Sequence, residues 1–123
     1  MPVLSKGHLV GRIVEVNFIS SRILLLNDLN SKIPVVISPN GDQAILSGIG
    51  KKEPSLDYLP ENFYPEDNNL VYTSGKDGVL VSGISIGKLF MDEGRIKVKL
   101  FTDPNQIFLV NVILSNSKKP KEM

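Results

Sequence analysis

The chain is 123 residues long, with a formal net charge of +1, 41% apolar and 22% charged residues. That balance excludes wholesale disorder and suffices for one ordinary domain with a real core. It holds no cysteine and a single histidine, which excludes a disulfide framework, a thiolate metal site and a paired-histidine zinc site. Charge near neutrality leaves no field of one sign to draw in nucleic acid or an anionic surface, and no apolar run approaches a membrane span.

Ser5-Lys6-Gly7 reads as a turn, and Leu9 to Ile19 as a strand with Gly11 inside it. Val14, Val16 and Phe18 alternate there with Glu15 and Asn17, the period of a half-buried strand. After Ser20-Ser21, the apolar run Arg22 to Leu26 is expected to return as a strand covered on both faces. Ile33 to Ile37 is a further strand, with Pro34 at an edge or at the strand's start. Asn40-Gly41 marks a turn, and Gln43 to Ile49 one more strand.

From Glu53 to Asn69, Pro54, Pro60 and Pro65 argue against any regular element. The segment is acidic, and Leu56, Tyr58, Leu59, Phe63 and Tyr64 make it a loop packed on the body of the protein. Leu70 to Leu89 is the organising stretch: a short strand through Thr73, a tight connection and a second strand from Ile84. Thr73-Ser74 leads into Gly75 and Gly78, which bracket Lys76-Asp77, and Gly83 makes a second bend. Gly87 inside the second strand marks a bulge, a corner or a close backbone approach. Arg95 to Phe101 turns Ile96, Val98 and Leu100 inward and Arg95, Lys97 and Lys99 outward. Ile107 to Leu114 is the last strand, and the lysine-rich residues 115–123 are expected to be disordered. The fold class is all-β, built of small antiparallel β-barrels with no regular helix.

Gly7-His-Leu-Val-Gly11-Arg-Ile13 matches Gly83-Ile-Ser-Ile-Gly87-Lys-Leu89. Downstream, Arg22 to Asp28 matches Arg95 to Asp103, and Ile33 to Ile37 matches Ile107 to Ile113. One unit used twice is the expectation. Nothing before Gly7 is expected to correspond to Leu70 to Ser82, so the first copy is truncated. The expected division is 1–38, a remnant of the first barrel unit, and 39–114, the second unit carrying the acidic loop 53–69. A truncated first sheet would leave an open edge through Leu9 to Leu26, and self-association is expected there, through Val14, Val16 and Phe18.

No constellation for catalysis emerges. Ser5, Ser74 and Asp77 are the imaginable partners of His8, and nothing in their spacing brings them together. The acidic residues of 53–69 lack the spacing of a calcium loop, and Gly48 to Lys52 does not complete a phosphate-binding loop. No catalytic residue, cofactor or metal is expected. The alternative function is a small barrel binding single-stranded nucleic acid, with Arg95, Lys97 and Lys99 on one face. Against it, Tyr58, Phe63, Tyr64 and Tyr72 lie in or beside the acidic segment.

The motifs Gly7 to Ile13, Ser21 to Asp28, Ile33-Pro-Val35 and Leu70-Val-Tyr-Thr-Ser-Gly75, with Asp77-Gly-Val79, Gly83 and Gly87, resemble the C-terminal β region of the MreC family of rod-shape-determining proteins. The resemblance spans Val3 to Leu114. Leu80-Val81 stands where the family has an aromatic-proline pair, and the family's membrane helix, coiled coil and first strands are not in this sequence. The resemblance implies a non-enzymatic scaffold of cell-wall elongation on the periplasmic side of the inner membrane. It implies self-association and, as partners, MreD and the peptidoglycan transpeptidase and glycosyltransferase. Nucleic acid is not among the implied partners, and the membrane is met only through an N-terminal anchor outside this sequence.

Overall fold

A computed structural model describes residues 2–16, 21–66, 68–76, 78, 80–102 and 111–112, with backbone alone for 15, 16, 21, 22, 111 and 112. The strands are β1 (Pro2–Ser5), β2 (His8–Val16), β3 (Ser21–Leu25), β4 (Lys32–Ser38), β5 (Asp42–Ser47), β6 (Ser55–Asp57), β7 (Leu70–Thr73), β8 (Ser85–Asp92), β9 (Arg95–Leu100) and β10 (Asn111–Val112). Among the described residues there is no helix. Four strands form an open sheet in the order β10-β1-β2-β3, and six close a barrel, β4-β5-β6-β9-β8-β7. All the ladders are antiparallel.

The repeat read in the sequence is present in the hydrogen bonding. Gly11 lies opposite Val3 on one side and Leu25 on the other; Gly87 lies opposite Val71 and Leu100. The register shifts between Val3 and Leu4 in one copy and between Val71 and Tyr72 in the other. A Cβ added at Gly11 would collide with the Leu24 carbonyl oxygen, and one at Gly87 with the Lys99 carbonyl oxygen. Both glycines therefore let a neighbouring backbone approach where any side chain would stand.

Several expectations need correcting. The first copy does possess a counterpart of β7: it is β1, which the turn at Lys6 and Gly7, both at positive φ, joins to β2. The second copy instead carries a longer connection, 74–84, between its equivalent strands, so the connection between β7 and β8 is not tight. The division after residue 38 does not follow the ladders. β4, in the first half of the chain, pairs with β7 and β5 of the barrel, and β10, in the second half, pairs with β1. Each half thus lends its fourth strand to the other.

β6 lies inside the segment read as loop. Only three residues long and preceded by Pro54, it offers no periodicity to detect, yet it bridges β5 and β9 and closes the barrel. The Pro54 carbonyl adds to that seam by accepting the Val98 N–H at 3.0 Å. Pro34, expected at an edge or at the strand's start, is instead the third residue of β4 and lies opposite Ile45; the β4–β7 ladder, where its missing N–H would matter, begins only at Val35. β3 is covered on one face only, with Leu24 buried and Ile23 exposed. The last strand is described only at residues 111–112, and the tail 115–123 lies outside the described residues.

One core serves both halves. Leu4, Leu9 and Leu26 pack in a single cluster with Ile33, Val35, Ile37, Leu46, Val71, Ile86 and Val98 from the barrel. In β9, Val98 is fully buried and Lys99 and Arg95 are exposed, as the alternation required.

Gly11→Ala and Gly87→Ala should each destabilise the chain by about 2 kcal/mol or more, because the clash is with backbone that cannot rotate away. Urea unfolding checks this through the shift in midpoint at unchanged slope. A large loss at one glycine with none at the other would refute their equivalence.

Candidate functional site

The glycine-rich motif is a hydrogen-bonded plug built around Thr73. Its Oγ1 donates to the Val81 carbonyl at 2.7 Å and accepts the Ile84 N–H at 2.9 Å. Its backbone N–H donates to the Ile84 carbonyl at 3.0 Å, and its carbonyl accepts the Gly83 N–H at 2.8 Å. A buried threonine thus satisfies every polar group it carries. Ser74 continues the seam: its N–H donates to the Pro34 carbonyl at 3.1 Å, and its Oγ accepts the Lys76 N–H at 3.2 Å. Gly75, Gly78 and Gly83 all have positive φ, and Leu80 is buried beneath them in the core cluster. Leu80 thus packs where the aromatic-proline pair of the resemblance was missing.

His8 is placed at the junction of the open sheet and the barrel. Its Nδ1 lies 3.1 Å from Ser85 Oγ, and its ring lies against Phe101 with centroids 4.9 Å apart. Nearby, Thr102 Oγ1 donates to the Leu9 carbonyl at 3.4 Å. Neither Ser5 nor Ser74 is hydrogen-bonded to His8, and Asp77 lies outside the described residues. The sequence analysis missed Ser85. Its partnership with His8 follows from the packing of β2 against β8, which no local pattern announces. Among the described residues no carboxylate is hydrogen-bonded to this histidine. The pair joins two sheets, and among the described residues no carboxylate orients its imidazole as a hydrolytic dyad would require. Among the described residues, no group of three or more acidic or histidine side chains is placed to hold a metal.

The expected self-association surface is only partly described. Val14 is 40% exposed, whereas nothing is described of the Val16 side chain or of Phe18. The strand that carries Val14 is not an edge, contrary to expectation, since β2 is paired with both β1 and β3. Among the described strands of that sheet, the outer side of β3 is unpaired.

The outer surface of the described residues carries several open depressions. One, of about 320 Å³, lies between Tyr58, Ser74 and Lys76 over the outer side of β4 and β5. The second, about 220 Å³, runs along Tyr64, Pro65 and Glu66 beside Leu89, Phe90 and Met91. The third, about 450 Å³, is lined by Lys88, Leu89, Phe90, Met91 and Lys99. Of the basic face expected on β9, Lys97 is neutralised by Asp92 at 2.8 Å. The cations that remain are too few to track a phosphate backbone, and the nucleic-acid alternative finds no support.

Residues 1–114 match the family model described as rod shape-determining protein MreC, barrel core. The cell shape-determining protein MreC of Caulobacter vibrioides is 40% identical over 114 residues, covering 92% of this chain and 33% of the relative. The chain thus spans about a third of the length of that relative. The crystal structure of MreC from Pseudomonas aeruginosa superposes with a TM-score of 0.77 at 26% identity, covering 91% of this chain and 78% of that one. Two further structures share the fold. One is described as the major periplasmic domain of the cell shape-determining filament MreC (TM-score 0.69, 23% identity, 83% and 69% covered). The other is a complex between the penicillin-binding protein PBP2 and MreC from Helicobacter pylori (TM-score 0.65, 18% identity, 94% and 69% covered).

Replacing Thr73 by Val should cost about 1–3 kcal/mol, because the Ile84 N–H and the Val81 carbonyl lose their partner inside the protein. Thr73→Ser, which keeps the hydroxyl, should cost less. Thermal melts of the two variants against the parent decide it, and equal losses would deny the hydroxyl its role.

Proposed function

This chain belongs to the MreC family of rod shape-determining proteins, and from that membership we propose that it acts as a non-catalytic scaffold of the cell-wall elongation machinery. The observation that carries the reading is the matched barrel core itself. Its interior is filled by packed aliphatic side chains, and its only histidine is spent on joining two sheets. A body of this kind offers surfaces, not a reaction centre.

The reading extends to partners and place. A relative of the same fold is found in complex with a penicillin-binding protein, which supports a peptidoglycan transpeptidase as a partner here. MreD and the elongation glycosyltransferase complete the proposed set. The proposed location is the periplasmic side of the inner membrane, with the parent protein anchored in that membrane; a relative described as a periplasmic domain supports it. Self-association is proposed through the region of Val14, Val16 and Phe18, supported by the exposure of Val14 and Ile23 beside the unpaired side of β3.

In a rod-shaped host that depends on the full-length protein, Gly87→Val in the barrel should turn rods into spheres. Normal rods despite loss of the folded protein, read by microscopy and immunoblot together, would sink the scaffold reading. For self-association, light scattering coupled to size exclusion should show an oligomer that Val14→Lys weakens. A monomer at tens of micromolar, or an oligomer indifferent to that change, would reject the surface.

A further inference from the structure

The β8–β9 ladder balances its charges at one position and leaves them opposed at another. Lys97, opposite Phe90, is half-buried and bound to Asp92 at 2.8 Å. Lys88 and Lys99 stand directly opposite each other in the same ladder, both exposed, and neither is ion-paired to a described residue. Like charges facing across an antiparallel pair repel and destabilise it, so folding gains nothing from this arrangement.

The duplicated unit supplies an internal control. Gly11 opposite Leu25 corresponds to Gly87 opposite Leu100, so Lys88 and Lys99 correspond to Arg12 and Leu24. There a single cation faces Leu24, which is buried, whereas in the barrel Lys99 is exposed, so of the two ladders the barrel's alone opposes two exposed cations. Departures from a local rule without a structural return are where function is expected.

The surroundings define what such a pair would meet. Lys88, Lys99, Leu89, Phe90 and Met91 line one depression, Met91 is 53% exposed, and Tyr64 and Pro65 extend the apolar wall. We propose that this depression is a docking seat for a protein partner that presents a carboxylate next to an apolar side chain. The two ammonium groups share the carboxylate, and Phe90 and Met91 receive its apolar neighbour. Charge complementarity selects this occupant. Two cations fall short of the clusters that hold anionic lipid or nucleic acid, and Glu66 at the margin of the apolar wall repels a polyanion further.

The proposal deepens the scaffold reading and rests on it, so the probe is the periplasmic part of the elongation penicillin-binding protein from the same cell. Its binding to the full-length protein is measured by interferometry at low and high salt. Lys88→Glu should weaken binding by about tenfold or more and flatten the salt dependence. The same change turns a repelling pair into an attracting one, so the melting temperature should hold or rise, which separates lost docking from lost folding. Met91→Ala should weaken binding without altering the salt dependence, and Lys32→Glu, an equal charge change on β4, should leave it within about twofold.

No binding by the parent protein would overturn the partner reading together with this seat. Binding by the parent that survives Lys88→Glu, or that falls as far with Lys32→Glu, overturns the seat alone.

Discussion

Two equivalent close approaches inside the strands govern this molecule: Gly11 against the Leu24 carbonyl and Gly87 against the Lys99 carbonyl. At each, a glycine sits in the middle of three paired strands and lets its neighbour come closer than a Cβ would permit. The adjoining register shifts, at Val3–Leu4 and Val71–Tyr72, accompany that approach in both copies, as bulges do where a strand must bend. Bending lets one copy curl towards closure, and it sets the start of β2 beside the start of β8, where His8 meets Ser85.

The copies then diverge in what they do with the bend. The second has β5 and β6 to span from β4 to β9, and the barrel closes. Between β7 and β8 it also carries the Thr73 plug, with Leu80 packed beneath. The first has a two-residue turn in the same place. Shared core packing from Leu4, Leu9 and Leu26 binds the open sheet to the closed one, so the two are not independent bodies in the usual sense of domains.

What the sequence disclosed and what it hid divide along physical lines. The all-β class, the repeat and the equivalence of Gly11 and Gly87 were legible, because each rests on a local pattern: period-two alternation in β9, or a glycine where a strand interior disfavours one. β6 was illegible, since three residues between prolines carry no period. The exchange of β4 and β10 between halves was equally hidden, because pairing partners are chosen by tertiary packing and not by the strand's own residues. The His8–Ser85 contact and the Lys88–Lys99 opposition were invisible for the same reason: each joins residues that become neighbours only through register. The motif glycines could be named as turn-makers, but Thr73 as the hub of the turn needed the fold.

The exchange of fourth strands also fixes an order in time. The β1–β10 pairing joins Val3 to Val112, so β1 waits for a strand far downstream of it. Pairings between such distant residues are slow to form, since loop closure must be met before any contact offsets it. A chain emerging from the ribosome can build the β1–β2 hairpin early but cannot complete its sheet until residue 112 arrives. Until then the β1 side of that hairpin is unpaired, a surface on which another nascent chain or a chaperone can act.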